Sequence, residues 1–200
     1  MLQVLCALLH SLLSLVGIQA FNRPVGSVPT SSLVPAPSLS SSPYTLVIVD
    51  MQPGFPASNQ VTTIRACEQL ILESVRLGYP IVVLEFEPTS MLGTTHGQLM
   101  RKLEGGRYNK YVVETKRADN GAPEVLRACQ SRGFATRTFR VCGVNTHACV
   151  QATVTGLASA EPSAIIQVIQ EACNDGGGSL WSAFQRLDNV LLSHLTPLRA

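Results

Sequence analysis

Short runs of branched apolar residues alternate along the chain with longer stretches of helical periodicity. Tyr44-Thr45-Leu46-Val47-Ile48-Val49 contains no charged position and stops at Asp50, the pattern of a strand buried on both faces. From Thr62 to Leu77 the apolar positions Ile64, Cys67, Leu70, Ile71, Val75 and Leu77 recur at helical spacing, with Thr62 or Thr63 as a candidate N-cap and Gly78 as the stop. Pro80 to Phe86 predicts a second strand and Tyr111 to Glu114 a third. Pro123 to Arg132 predicts a helix opened by proline and closed before Gly133. Ala135–Cys142 predicts a fourth strand, His147–Ser159 a helix, and Ala164–Gln170 a fifth strand. Leu180–Leu187 predicts a helix and Val190–Leu195 a sixth strand.

That order implies an α/β fold: a parallel sheet with helices on both faces, because each parallel crossover needs a covering helix. In such open sheets ligands bind outside the carboxyl ends of the strands, near the reversal of strand order. Polar residues there that the pattern does not require are therefore candidates for function. Asp50, Lys116 and the turn from Gly143 to Cys149 meet that description.

The first 42 residues differ from the rest. They hold no acidic residue and one basic one, Arg23. Leu2 to Ala20 is nearly all apolar, and Phe21 to Pro43 carries five prolines and seven serines. The apolar part has the character of a signal-peptide core ending in small residues, although the usual positive start is missing. The second part reads as a tail or linker. Residues 1–42 are thus read as a targeting segment or tail, and 43–200 as one domain. Export or organelle targeting follows if the segment is a true signal, and a cytoplasmic location if it is not.

Composition narrows the class. The chain has 200 residues, 46% hydrophobic and 14% charged, with a formal charge of +2. It can bury a sizeable core, and so small an excess of positive charge makes no basic patch for nucleic acid. No second apolar run predicts membrane insertion of the 43–200 domain. Six cysteines, at 6, 67, 129, 142, 149 and 173, show neither CxxC nor zinc-site spacing, so most are expected to be buried free thiols.

Taken singly, each candidate has a plain reading: Asp50 as a turn residue, Lys116 as a solvated lysine, Cys149 as a small buried hydrophobe. Together they have another. A cysteine in the first turn of a helix faces unpaired amides and the positive end of the helix dipole, which favour thiolate. A nearby carboxylate can take the thiol proton, and a lysine can hold both charges. A nucleophile, a base and a cation on adjacent strand ends suit amide hydrolysis through a thioester.

Three motifs carry a resemblance: Val47-Ile48-Val49-Asp50-Met51-Gln52, Lys116 after Tyr111-Val112-Val113-Glu114-Thr115, and Gly143-Val144-Asn145-Thr146-His147-Ala148-Cys149-Val150. With them residues 44–195 resemble the isochorismatase-like cysteine hydrolases, which include nicotinamidases and N-carbamoylsarcosine amidohydrolases. The resemblance implies a Rossmann-like three-layer α/β/α domain on a six-stranded parallel sheet. It implies a catalytic set of Asp50 as base, Lys116 and Cys149, a cis peptide at Val144–Asn145, and an oxyanion hole from the amides of Asn145 and Cys149. Phe55, Val144 and His147 are candidates to touch substrate. The implied activity is hydrolysis of a C–N bond in a small amide, ureido or carbamoyl compound. The alternatives are a catalytically silent binding module and a thiol sensor pairing Cys142 with Cys149. Relatives often form dimers or tetramers.

The chain also departs from the family. Nicotinamidases carry an Asp-x-His metal element where this chain reads Leu84-Glu85-Phe86-Glu87-Pro88, so no metal or other cofactor is expected, and Glu85, Glu87 and His96 read as ordinary polar residues. After the lysine many relatives have a Ser-Ala-Phe stretch, whereas here Arg117-Ala118-Asp119-Asn120-Gly121 follows and implies a different pocket.

Overall fold

The computed structural model describes residues 42–89, 91–106, 108–179 and 181–195. The reading of residues 1–42 as a targeting segment therefore falls, apart from Ser42, outside the described residues. Strands β1 (Thr45–Val49), β2 (Ile81–Phe86), β3 (Tyr111–Lys116), β4 (Thr138–Val144), β5 (Ile165–Asn174) and β6 (Val190–Ser193) form one sheet in the order β3-β2-β1-β4-β5-β6. Every pairing is parallel. The order reverses between β1 and β4, the two central strands, and both are buried along their whole length.

Helices α1 (Val61–Leu77) and α2 (Gly97–Glu104) pack together, with α1 against β1, β4 and β5. Helices α3 (Ala122–Arg132) and α4 (Gln151–Ala160) pack on each other, α3 over β2 and β3 and α4 over β5. The result is a three-layer α/β/α arrangement. Leu46, Ile48, Leu84, Val141 and Ile166 are wholly buried between the layers. Burying each such side chain stabilises the fold by roughly 1.5–3 kcal/mol.

The predicted elements are present with shifted ends. α1 begins at Val61 after Gln60, with no side-chain cap, rather than being capped by Thr62 or Thr63, and it ends at Gly78 as expected. β4 starts three residues later than predicted and β5 runs on to Asn174. The predicted helix near 180–187 is a 3-10 turn, Trp181–Arg186. Helix α2 was not predicted; only Leu99 and Leu103 of its eight residues are buried, too sparse a stripe to read. No helix among the described residues is long and apolar enough to cross a membrane.

One glycine fixes how the central strands meet. Gly143 pairs with Val49 across β1 and β4 and has φ +124°. A Cβ there would lie 2.0 Å from the Val49 carbonyl oxygen, so no other residue fits. The β4–β5 register shifts at the same place, between Val141 and Gly143, and turns the chain toward the cysteine.

Candidate active site

The carboxyl ends of β1, β3 and β4 bring the three sequence candidates together. β1 stops at Asp50, whose φ of +51° is a left-handed conformation that aspartate tolerates better than most residues. Its amide donates to the Leu84 carbonyl (2.9 Å), and its own carbonyl accepts from Gln52 (2.7 Å). This sharp turn leaves the carboxylate wholly buried above the sheet. Lys116 closes β3, two strands away, and its Nζ lies 2.8 Å from Asp50 Oδ2, both side chains being fully shielded from solvent. The contact is an ion pair without hydrogen-bond alignment, so both carboxylate oxygens lack an aligned donor.

Three further contacts hold the lysine. Nζ donates to the Ala118 carbonyl (3.1 Å) and stands 4.6 Å from the centre of the Phe86 ring, whose residue is its register partner on β2. Gly121 packs so closely that a Cβ would lie 2.9 Å from the lysine Cδ and 2.5 Å from Leu84. Phe55 meets Phe86 edge to face at 6.4 Å, which places it in the aromatic wall beside the ion pair.

Beyond Gly143 the Val144–Asn145 peptide is cis. The chain then winds through one wide helical turn, Thr146–Val150, that runs directly into α4. The Asn145 carbonyl accepts from the amides of Ala148 (3.2 Å) and Val150 (3.1 Å). Cys149 thus sits in the first turn, as expected, and is 4% exposed. Val144 is wholly buried and belongs to the core cluster.

The expected thiolate is not the resting form. Burial first, then the negative charge of Asp50, push the Cys149 thiol up to about 12, while Lys116 pulls the other way. The helix start is therefore outweighed by desolvation and a neighbouring anion. Burial also raises Asp50 above its ordinary value, opposed first by Lys116 and next by the thiol. Asp50 and Cys149 each act on the other's ionisation and Lys116 acts on both, so the three form a single electrostatic unit.

The loop after β5 fixes the cysteine turn from outside. Asp175 Oδ2 accepts from the His147 amide and lies 3.0 Å from its Nδ1, each contact at the same length. Ser179 Oγ donates to Thr146 Oγ1 (3.0 Å), and Asn174 Nδ2 to the Ala57 carbonyl (2.8 Å). His147 is thus half-buried and held by an acid, not loose in solvent as a helix-start residue would be.

Sequence reasoning did not single out Asp119, Phe86 or Asp175 for the site. The Cys149 thiol donates to Asp119 Oδ1 at 3.6 Å. An open groove of about 790 Å³ along α4 is lined by Asp119, Asn120, His147 and the α4 residues Gln151 and Thr155, and Asp119 is its link to the sulfur. Across the His147–Gln151–Thr155 ridge a second groove of about 540 Å³ is lined by Ser182 and Arg186. The departure from the family pattern after Lys116 was the signal that could have marked Asp119.

The three residues weighed as metal ligands are engaged elsewhere. Glu85 Oε1 accepts from the Thr95 amide (2.7 Å), Glu87 pairs with Arg117 (3.0 Å), and His96 Nε2 lies 3.0 Å from Ser58 Oγ. Among the described residues no three His, Cys, Asp or Glu side chains group as a metal site. Cys142 faces Cys67, 3.9 Å between sulfurs, and the described cysteines are free and buried.

The family model described as the Isochorismatase domain matches residues 44–188. The chain belongs to the isochorismatase family. No curated protein sequence matches it. Among solved structures, similarity extends to the MAR1 ribonuclease of Caenorhabditis elegans, with TM-score 0.62 and 19% identity over 76% of this chain and 77% of that one. N-carbamoylsarcosine amidase from Thermoplasma acidophilum gives TM-score 0.62 and 16% identity over 76% of this chain and 96% of the other. The YcaC gene product of Escherichia coli, described as an octameric hydrolase of unknown specificity, gives TM-score 0.57 and 16% identity over 74% of each chain. At these identities the likeness is one of fold: an isochorismatase-family α/β sheet.

Proposed function

We propose that this isochorismatase-family protein hydrolyses a C–N bond in a small amide, ureido or carbamoyl compound through a thioester on Cys149. The observation that carries the reading is the buried Asp50–Lys116 pair at 2.8 Å, with the Cys149 thiol acting on the ionisation of Asp50 and shifted by both groups. A structural ion pair in a core has no need of a nucleophile beside it.

The steps follow from the protonation states. Because the thiol rests protonated, the proton must leave as the sulfur attacks, and the buried, Lys116-paired Asp50 is the base assigned to take it. Sγ bonds to the substrate carbonyl carbon, and the carbonyl oxygen takes the negative charge. The amides of Asn145 and Cys149 hold that oxygen; losing one such donor typically costs about 10²–10³ in turnover. Asp50 then returns the proton to the leaving nitrogen, and ammonia or an amine departs. Water gives a proton to Asp50 as it attacks the thioester, and collapse releases the carboxylic acid and restores the thiol. Net, one amide and one water become one acid and one amine.

The same site suits a small molecule better than nucleic acid. The Asp119 carboxylate beside the sulfur would repel a phosphodiester. Self-association as a dimer or tetramer, as in many relatives, belongs to this proposal. The test is ammonia release from a panel of small carboxamides, ureido and carbamoyl compounds with the full chain. Turnover in wild type and none in Cys149→Ala is expected; equal turnover in Cys149→Ala would refute the mechanism.

A further inference from the structure

We infer that Asp119 selects substrates carrying a cationic group, an ammonium or guanidinium, next to the scissile carbonyl. The inference rests on the proposed hydrolase reading and names the substrate class that the same sulfur would take.

Asp119 follows β3 in the turn that leads to α3. Its carbonyl accepts from Thr153 Oγ1 (3.4 Å), which ties the turn to α4. The capping task at the start of α3 belongs to its neighbour, since Asn120 Oδ1 accepts the Ala122 amide (2.9 Å). The Asp119 carboxylate is thus free of a structural duty. Among the described residues it accepts from Cys149 Sγ at 3.6 Å, and it lines the groove along α4.

Among the described residues Asp119 forms no ion pair. The nearby candidates are committed: Lys116 to Asp50, Arg117 to Glu87 at 3.0 Å, and His147 to Asp175. Asp50 and Lys116 cancel, so one negative charge is left over at the nucleophile. The reaction does not remove it, because the charge lost when Asp50 takes the proton reappears on the substrate oxygen. A cation on the substrate neutralises that excess in both states. An anionic substrate would double it, and a neutral one would leave it standing.

The experiment uses the sulfur itself and needs no knowledge of the substrate. The full chain is labelled with a cationic reagent, 2-(trimethylammonium)ethyl methanethiosulfonate, and an anionic one, 2-sulfonatoethyl methanethiosulfonate. Rates are read by mass spectrometry at the Cys149 peptide. The cation-to-anion rate ratio, taken relative to β-mercaptoethanol, cancels any change in thiol ionisation. For a partly solvated charge beside the sulfur we expect a ratio raised by roughly tenfold or more. It should fall roughly tenfold in Asp119→Asn, persist in Asp119→Glu, and be unchanged in Glu104→Gln, an exposed acid at the end of α2. A purely structural Asp119 would alter both rates together and leave the ratio alone. An unraised ratio, or one that survives Asp119→Asn, overturns the inference. So does failure of both reagents to label Cys149, since a cation could then not reach the sulfur past Asp119. The ratio does not depend on hydrolysis, so the hydrolase reading and this inference can fail separately.

Discussion

Replacing Asp50 with asparagine should make Cys149 more reactive and the enzyme less active. In the wild type the thiol is pushed up to about 12 by burial and by Asp50, against the pull of Lys116. Asp50→Asn keeps the shape, removes the anion and leaves the ammonium. A unit charge about 4 Å away is worth about 4 kcal/mol at an effective dielectric constant near 20. At 1.36 kcal/mol per pH unit, the thiol's midpoint should drop by roughly 2–3 pH units. The thiolate fraction at pH 8 then rises about 10²–10³-fold. A less basic thiolate is a weaker nucleophile, which offsets about half of this on a logarithmic scale, so labelling should speed up roughly 10–30-fold. The assay is iodoacetamide labelling of the Cys149 peptide from pH 6 to 11, beside amide turnover. Turnover should fall by about 10² or more, because the proposed carrier of the proton from sulfur to leaving group is lost. The substitution strands Lys116 in a dry site at a cost of about 3–5 kcal/mol, so folded fraction is checked by circular dichroism at the assay temperature. Labelling that stays at the wild-type rate with an unmoved midpoint would show that Asp50's charge does not govern the sulfur.

Lys116→Met leaves the Asp50 carboxyl buried alone. Its pKa should climb further, turnover should drop by roughly 10² or more, and the melting temperature should fall by about 10 °C, read by calorimetry. Turnover of the wild type should fall as pH drops, because protonated Asp50 cannot accept the thiol proton. Burial raises that carboxyl, so the acid limb of kcat/KM should lie above the ordinary carboxylate value of 3.8. Gly143→Ala would put a methyl 2.0 Å from the Val49 carbonyl and should cost about 3 kcal/mol or more, giving insoluble protein or a large loss in melting temperature. Gly176→Ala, with nothing within 4 Å, should melt within a few degrees of wild type.

What was legible in the sequence follows from burial. β1 and most of β2 are covered on both faces and are nearly continuous apolar runs that read as strands, while β4, equally buried, carries Arg140 and reads as more mixed. Once the strands are placed, parallel topology puts all their carboxyl ends on one edge, and Asp50, Lys116 and Cys149 fall together. β5 reads short because Glu171 is exposed, breaking the run, while Ala172 and Cys173 behind it are buried and carry the ladder on. Asp119, Phe86 and Asp175 were not legible, since their approach to the site depends on loop paths and on register. Phe86 reaches Lys116 only because those two residues pair across β2 and β3. The ionisation of Cys149 was misread for a related reason. Its place at a helix start is local and visible in sequence, whereas the burial and the carboxylate that oppose it come from elsewhere in the chain.

The raised thiol fits the proposed mechanism better than a resting thiolate would. Creating a new charge in a site this dry is costly, by several kcal/mol for an isolated ion. Lys116 touches Asp50 and also acts on Cys149, so one ammonium faces both negative forms. When the proton moves from sulfur to carboxylate, the anion shifts from one neighbour of Lys116 to the other and the total charge of the pocket does not change. Burial opposes ionisation of either acid alone, yet bears little on an exchange between them. The same shielding that keeps the cysteine inert to solvent thus leaves its transfer to Asp50 open, and the pocket can hold a nucleophile in reserve until a carbonyl arrives to take the charge.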